Sequence, residues 1–166
     1  KKNIPVIVGV GNSGKIDISF LAEHYSTITA SPHNIFGEIS SHASLSYSYD
    51  IFAPGGSRKN IINSKSISKL YPSNIKVFDE YADYDDPICA INKSSYSFLT
   101  LGSAAMPHVA GAVAMIKSYN PNSTIDEIRM ILRSSTIPLK ETGSLMEGLG
   151  GRLSLKLLRE EILRNL

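Results

Sequence analysis

Residues 102–111 read GSAAMPHVAG, and this run of small residues opens the strongest helical pattern in the chain. The pattern extends from Ser103 to Tyr119, with valine and isoleucine side chains among the alanines and glycines. So many small side chains predict a helix that is buried nearly all round and packs closely against neighbouring backbone. Pro107 lies in the first turns, where a missing N–H group costs least.

Strand patterns precede this helix along the chain. Residues 4–10 read IPVIVGV, a β-branched run with glycine near its end that is typical of a buried strand. Residues 26–30 predict a second strand that ends at Pro32, and residues 50–56 predict a third that runs into a Pro-Gly turn. Buried strands usually lie in the middle of a sheet. Because this chain begins with such a strand, we expect it to be a fragment of a larger domain.

Two further helices are predicted late in the chain. Thr124 and Glu127 have the spacing of a capping box at the start of one helix. Residues 153–166 have the pattern of a closing amphipathic helix, and residues 16–25 predict a helical turn or two. Strands followed by late helices indicate the α/β class.

Size and composition describe one ordinary globular domain. The 166 residues include 17 Lys and Arg and 15 Asp and Glu, which gives a net charge of +2. This charge gives no reason to expect nucleic acid or an anionic membrane as partner. The longest apolar run, residues 4–10, is far too short to span a bilayer. Cys89 is the single cysteine, which excludes an intrachain disulfide and leaves the cellular compartment open.

The segment from Ser57 to Thr100 has a weak pattern, basic at first and acidic later. Connections of this length are usually functional or disordered. We interpret this one as an insertion at about 57–100 with local structure of its own. The acidic part lacks the glycine and the terminal glutamate of an EF-hand loop, which favours a solvated acidic loop over a cation site.

Two segments carry residues suited to chemistry, and the first is GVGNSG at residues 9–14. Three glycines at this spacing after a strand match a dinucleotide-binding fingerprint, which also needs a full helix and an acidic residue about 20 positions later. The next strand ends at Pro32 without an acid, so a tight strand-exit turn is the favoured interpretation. A third interpretation concerns Asn12, because a side-chain amide held by such a turn can donate a hydrogen bond to a developing oxyanion.

The second segment is the start of the buried helix. Ser103 lies where the helix N-terminus favours negative charge, and its backbone N–H is a candidate oxyanion donor. Gly102 leaves room for a substrate backbone to approach. Taken alone, a serine at this place is most often an N-cap.

Together these segments resemble the subtilisin-like serine proteases, the subtilase family. The family's serine box reads Gly-Thr-Ser-x-Ala-x-Pro-His-Val-Ala-Gly, and Ser103 falls on its nucleophile. Four weaker matches follow the family's order over nearly the whole chain: VGNSG at 10–14, DIFAPG at 50–55, Asn120-Pro121 before the capped helix, and GGRL at 150–153.

The resemblance implies both the fold and the chemistry. It implies the C-terminal part of a subtilase catalytic domain over residues 1–166, with a three-layer α/β fold and a mostly parallel sheet. Ser103 would attack a peptide carbonyl of a protein or peptide substrate, and Asn12 with the Ser103 N–H would stabilise the oxyanion. Gly9, Val10 and Gly11 would line the substrate pocket. The family also implies a secreted or cell-surface protein; calcium is common in it, but no metal ligands are assigned here.

Two departures from the family pattern bear on activity. Leu101-Gly102 stand where the family has Gly-Thr, and Ala104 stands where it often has Met. The Leu101-Gly102 departure, with the missing triad partners, keeps open the alternative of an inactive subtilase-fold pseudoprotease that binds or regulates. A dinucleotide-binding module, based on the glycines of residues 9–14, is a third hypothesis. The insertion at about 57–100 also resembles those of the lantibiotic leader peptidases, which are secreted bacterial subtilases.

The catalytic aspartate and histidine are the larger question. In subtilases both precede the oxyanion asparagine, so the resemblance implies that sequence upstream of this chain supplies them. A histidine within the chain is a poor substitute. His108 follows Ser103 by five positions on one helix and does not face it. The remaining three, His24, His33 and His42, are interpreted as surface or loop histidines.

Overall fold

The computed structural model describes residues 3–17, 19–44, 49–56, 88–92, 95–99, 101–140 and 150–164. Within these ranges the strands are β1 Val6–Gly9, β2 Thr27–His33, β3 Ile51–Pro54, β4 Ile88–Asn92, β5 Ser95–Phe98, β6 Thr136–Ile137 and β7 Arg152–Leu153. The helices are α1 Gly102–Tyr119, α2 Ile125–Ser134 and α3 Leu155–Arg164.

Five of these strands form one sheet in the order β1-β2-β3-β7-β6. β1 pairs with β2, β2 with β3 and β3 with β7 in parallel, and β6 pairs with β7 antiparallel. The predicted α/β class with a mostly parallel sheet is therefore confirmed. Parallel pairing places the carboxyl ends of β1, β2 and β3 at one edge, where ligand sites of α/β sheets usually form.

Helix α1 packs across the first three strands and forms the core with them. The buried residues of this core come from β2, β3 and all three helices: Ile28, Ala30, Ile51, Ala53, Ala105, Val109, Ala112, Val113, Ile116, Ile128, Leu132, Leu158 and Ile162. The alanines on α1 let its backbone approach the sheet closely, as the run of small residues predicts. A second buried cluster of Val10, Ala43, Tyr49, Phe52 and Leu139 lies apart from this helical core.

The prediction that α1 is buried nearly all round is wrong for the described residues. One stripe of small side chains along the helix is exposed: Ser103, Pro107, Ala110, Gly111, Ala114 and Ser118. These positions recur every three or four residues and therefore share one face. The helix packs on the sheet with its opposite face, so the stripe has no described neighbour to cover it.

The predicted end of the second strand at Pro32 is also wrong, because β2 continues to His33. Pro32 lacks an N–H group, and in β2 it falls beyond the last residue paired with β1, Ala30. The hydrogen bonds between β2 and the chain of β3 continue past Pro32, because the His33 carbonyl accepts from the Gly55 N–H at 3.1 Å. Proline is tolerated here because the donor it lacks would face no strand.

The remaining predictions are confirmed in part. The capping box of α2 is present, and two hydrogen bonds from Thr124 to the carboxylate lower the pKa of Glu127. The closing helix begins at Leu155 because the two residues before Ser154 form β7. The described part of residues 16–25 has one helical turn, closed by the Glu23 N–H on the Ser19 carbonyl at 3.2 Å.

The predicted insertion at about 57–100 lies largely outside the described residues. Its described part is an antiparallel hairpin of β4 and β5. Within the described ranges, no helix combines the length and the apolar character that crossing a bilayer requires.

Candidate active site

The exit from β1 forms a tight turn that is fastened to the loop 40–44. The Val10 N–H donates to the Ala30 carbonyl at 3.1 Å, and the chain then turns at Gly11, which has a φ of 105°. A Cβ atom at Gly11 would lie 2.6 Å from Ser44 Oγ. Ser44 also donates its N–H to the Gly11 carbonyl at 3.1 Å, so this turn requires glycine and holds Asn12 at the carboxyl edge of the sheet.

This geometry disagrees with the dinucleotide-binding alternative. That fingerprint needs a helix whose N-terminus follows the glycines directly, because the helix N–H groups bind the pyrophosphate. Here the described residues between β1 and β2 form turns rather than such a helix. The strand-exit turn is the interpretation that the structure supports.

The side chain of Asn12 reaches the start of α1. Its Oδ1 accepts a hydrogen bond from the Gly102 N–H at 2.8 Å, although 90 residues separate the two in sequence. A bonded carbonyl oxygen fixes which side of the amide is which, so the NH₂ group of Asn12 points away from Gly102. The amide therefore lies beside the helix N-terminus, and its NH₂ donors are not used by this bond.

Ser103 is the second residue of α1, because the helix begins at Gly102 and its N-cap is Leu101. The interpretation of Ser103 as an N-cap is therefore wrong. Ser103 is exposed, whereas Gly102 and Ala104 on either side are buried. The first N–H groups of a helix have no partner within it, and the dipole there favours negative charge. A hydroxyl, a backbone donor and the Asn12 amide thus lie together at one helix end.

Leu101, the residue before Gly102 and Ser103, has a strained backbone. Leu101 has a φ of 81° and a ψ of −178°, a region populated almost only by glycine, and no other non-glycine residue in the described ranges has a positive φ. Two hydrogen bonds hold it there: its N–H donates to the Gly55 carbonyl at 2.9 Å, and its carbonyl accepts from the Ala104 N–H at 3.0 Å. Such a conformation costs about 1–3 kcal/mol.

We expect Leu101→Gly to stabilise the protein by about 1 kcal/mol, because the relieved strain exceeds the backbone entropy that glycine adds to the unfolded chain. The measurement is the thermal unfolding midpoint of the full-length protein. Leu99→Gly is the matched control, since Leu99 has no positive φ and lies two residues earlier. That control should lower the midpoint, and a decrease of similar size for Leu101→Gly would contradict the strain.

The predicted pocket residues Gly9, Val10 and Gly11 differ in which of their groups a substrate can contact. The side chain of Val10 is buried, so only its backbone is available to a ligand. A Cβ atom at Gly9 would lie 3.3 Å from Met106 Sδ, so packing against α1 already favours glycine there. Contact of Gly9 and Gly11 with a substrate remains a prediction.

Three of the four histidines have Nδ1 within hydrogen-bond distance of a group close to them in sequence. His24 Nδ1 lies 2.6 Å from Ser26 Oγ, and His33 Nδ1 lies 2.8 Å from the carbonyl oxygen of Asn34. His108 Nδ1 lies 2.8 Å from the carbonyl oxygen of Ala104, one turn earlier on α1. None of these three contacts involves Ser103, and the supply of its base by upstream sequence stays a prediction.

Sequence reasoning missed the positive φ of Leu101 and the pairing of Asp50 with two arginines. A leucine in place of the first glycine of the serine box was the signal for the former. The ion pairs join residues about 80 positions apart, and nothing in the sequence pattern indicated them.

Comparison with known proteins gives a family and a fold. The sequence model of the Subtilase family (Peptidase S8) matches residues 1–150. The chain is 26% identical to subtilisin BL of Lederbergia lenta over 148 residues, which cover 89% of this chain and 44% of that protein. It is also 26% identical to an alkaline protease of Alkalihalobacillus alcalophilus, of which it covers 31%. The chain thus spans less than half the length of these relatives.

Solved structures support the fold at lower identity. A protease of Pseudoalteromonas arctica aligns with a TM-score of 0.71 at 21% identity, over 96% of this chain and 43% of that one. PagA, described as a prenylagaramide maturation protease, aligns with a TM-score of 0.65 at 18% identity, over 96% of this chain and 51% of its own.

Proposed function

The chain belongs to the subtilase family, and we propose that it supplies the nucleophile and the oxyanion site of a serine endopeptidase. The observation that carries this proposal is the bond from the Gly102 N–H to Asn12 Oδ1, since it joins the two sequence segments at the residue before Ser103. The substrates would be proteins or peptides, and the enzyme would act outside the cell, at the cell surface or in the medium.

The chemistry follows from the roles that these groups can take. Ser103 Oγ would attack the peptide carbonyl carbon while its proton passes to a base. The C–N bond would then break, the amine leaving with that proton, and water would hydrolyse the resulting acyl-enzyme and release Ser103. In the tetrahedral intermediate the carbonyl oxygen becomes an oxyanion, and two donors would stabilise it: the Asn12 NH₂ group and the Ser103 N–H. A serine hydroxyl is weakly nucleophilic by itself, so a histidine base oriented by an aspartate is required.

The upstream part of the same protease would supply that base, and two open surfaces support this. The first is the exposed stripe on α1, defined above, which begins at Ser103 itself. Small side chains permit close approach of another element, so a segment packed along this stripe would reach the hydroxyl.

The second open surface is β1. This strand is the edge of the described sheet, yet Ile4 and Val6 near its start are more than half exposed and apolar. Parallel strands usually lie inside a sheet with both faces covered, and exposed apolar edges are avoided in finished proteins. A parallel strand from the upstream part would complete the sheet and bring further residues to its carboxyl edge.

The decisive experiment is covalent labelling of the full-length protein with a fluorophosphonate. Such probes modify serines that an adjacent base activates. We expect a single adduct, mapped to Ser103 by mass spectrometry, that is absent after denaturation and absent from the Ser103→Ala variant.

Ser118→Ala is the matched control, because Ser118 is an exposed serine near the other end of α1. It should label as the natural protein does. If folded and fully processed protein gave no adduct on Ser103, the hydrolase proposal would be overturned in favour of an inactive subtilase fold.

A further inference from the structure

The turn that leads into β2 has several carbonyl oxygens that accept hydrogen bonds from side-chain hydroxyl groups of β2. Thr27 Oγ1 lies 2.7 Å from the Leu21 carbonyl oxygen and 2.8 Å from that of His24, so its single proton is shared between two acceptors. Thr29 Oγ1 donates to the carbonyl of Ala22 at 2.5 Å. A cleft of about 330 Å³ lies between this turn, Asp50 and α2.

Arg129 on α2 donates hydrogen bonds to four further oxygen atoms of this region. Its Nη2 donates to the Tyr25 carbonyl at 2.6 Å and also to the Thr27 carbonyl. Its Nε donates to Asp50 Oδ2 at 3.3 Å, and its Nη1 donates to Asp126 Oδ1 at 3.1 Å. Four hydrogen bonds thus hold a guanidinium group whose side chain is only 17% exposed.

Asp50 lies on the sheet side of the Arg129 guanidinium. Its carboxylate and the carbonyls of Tyr25 and Thr27 surround this charge with oxygen atoms, an arrangement called the cage below. Asp50 is buried, its Oδ2 accepts the Thr29 N–H at 2.9 Å, and its Oδ1 accepts from Arg133 Nη2 at 2.9 Å. Two backbone carbonyls and a buried carboxylate around one positive charge are the oxygen donors that hard cations such as Ca²⁺ prefer. In this chain the positive charge among these oxygen atoms is the guanidinium group of Arg129.

We propose that Arg129 is the resident cation of this cage, so that the turn 19–27 and its junction with β2 are held without a metal ion. The residues do not fit calcium here: the carbonyls of Tyr25 and Thr27 and one carboxylate oxygen are engaged by the guanidinium. A second positive charge, that of Arg133, lies on the other carboxylate oxygen and would oppose a divalent ion. Among the described residues no cluster of three or more His, Cys, Asp or Glu offers another ligand set.

The test is amide hydrogen exchange over residues 19–29 in the full-length protein, followed by mass spectrometry. All samples carry Ser103→Ala to prevent autolysis, and each is measured with excess calcium and with a chelator. We expect the exchange of this segment to be the same in both conditions. Protection that disappears with the chelator would show that a metal ion holds the cage and would overturn the proposal.

Arg129→Met tests the guanidinium directly, because methionine is apolar and carries no charge. Exchange over residues 19–29 should rise about ten- to a hundredfold, the factor for losing hydrogen bonds to a charged group. Arg164→Met is the matched control; Arg164 is an exposed arginine with one carboxylate partner, and its loss should not alter the segment.

Unchanged exchange in Arg129→Met would also overturn the proposal. The calcium comparison on the arginine form needs no variant at position 129, so it decides the matter even if Arg129→Met fails to fold. Neither readout depends on peptidase activity, and failure of the proposed function would therefore be recognised separately, by labelling.

Discussion

Alanine in place of Asn12 is expected to lower kcat of the full-length protein about 10²–10³-fold with little change in KM. This range is the one measured for an oxyanion-hole asparagine of subtilisin, a relative of this chain. KM should change little because the amide bonds the carbonyl oxygen strongly only once negative charge develops on it in the transition state. The measurement is steady-state kinetics on a peptide substrate.

Asn12→Asp separates the two sides of the amide. An aspartate keeps an oxygen for the Gly102 N–H, which Asn12 Oδ1 accepts at 2.8 Å, but replaces the NH₂ donor by a second oxygen. We expect a loss at least as large as that of Asn12→Ala, because a carboxylate beside the oxyanion repels it.

Ser13→Ala is the control for both variants. Ser13 lies next in sequence, but its hydroxyl contacts Ser44 and Lys15 rather than the helix start. Its kcat should remain within about twofold, since surface substitutions of this kind usually have small effects. An equal loss in Ser13→Ala would mean that the turn, rather than the amide, supports catalysis.

The sequence was most informative where one local pattern decides a structure. The helix at Gly102–Tyr119, the capping box at Thr124 and the first three strands follow from periodicity, cap chemistry and β-branched runs, whereas the parallel pairing was implied by the family resemblance. Each is fixed mainly by residues close together in the chain, so a single sequence suffices to predict it.

The junctions could not be predicted in the same way. The two-residue strand β7 has no pattern of its own and exists because it lies beside Phe52 of β3. The contact between Asn12 and Gly102 was implied by a family resemblance, but the orientation of the amide depends on a backbone N–H whose position only the folded chain defines. Likewise Leu101 adopts its φ because Gly55 and Ala104 hold it from both sides.

Asp50 is the junction with the largest consequence for stability. It is buried, and it joins β2 to α2 through the Thr29 N–H, Arg129 and Arg133. Asp50→Ala would remove the acceptor of Arg129 Nε and of the buried Thr29 N–H, and with it the carboxylate partner on the buried side of the guanidinium. Removing one partner of a buried ion pair costs about 3–5 kcal/mol. We expect a corresponding decrease in the free energy of unfolding of the full-length protein, obtained from denaturant titration of the Ser103→Ala form.

Asp126→Ala provides the matched control, because Asp126 binds the same arginine at 3.1 Å but is 89% exposed. Exposed ion pairs contribute about 0–1 kcal/mol, since water screens them and solvates either partner alone. The two variants thus remove a carboxylate from one guanidinium on its buried and on its exposed side. A difference of several kcal/mol would show that burial, rather than the ion pair as such, makes Asp50 necessary. Equal effects would mean that Arg129 is held by the carbonyls of Tyr25 and Thr27 alone.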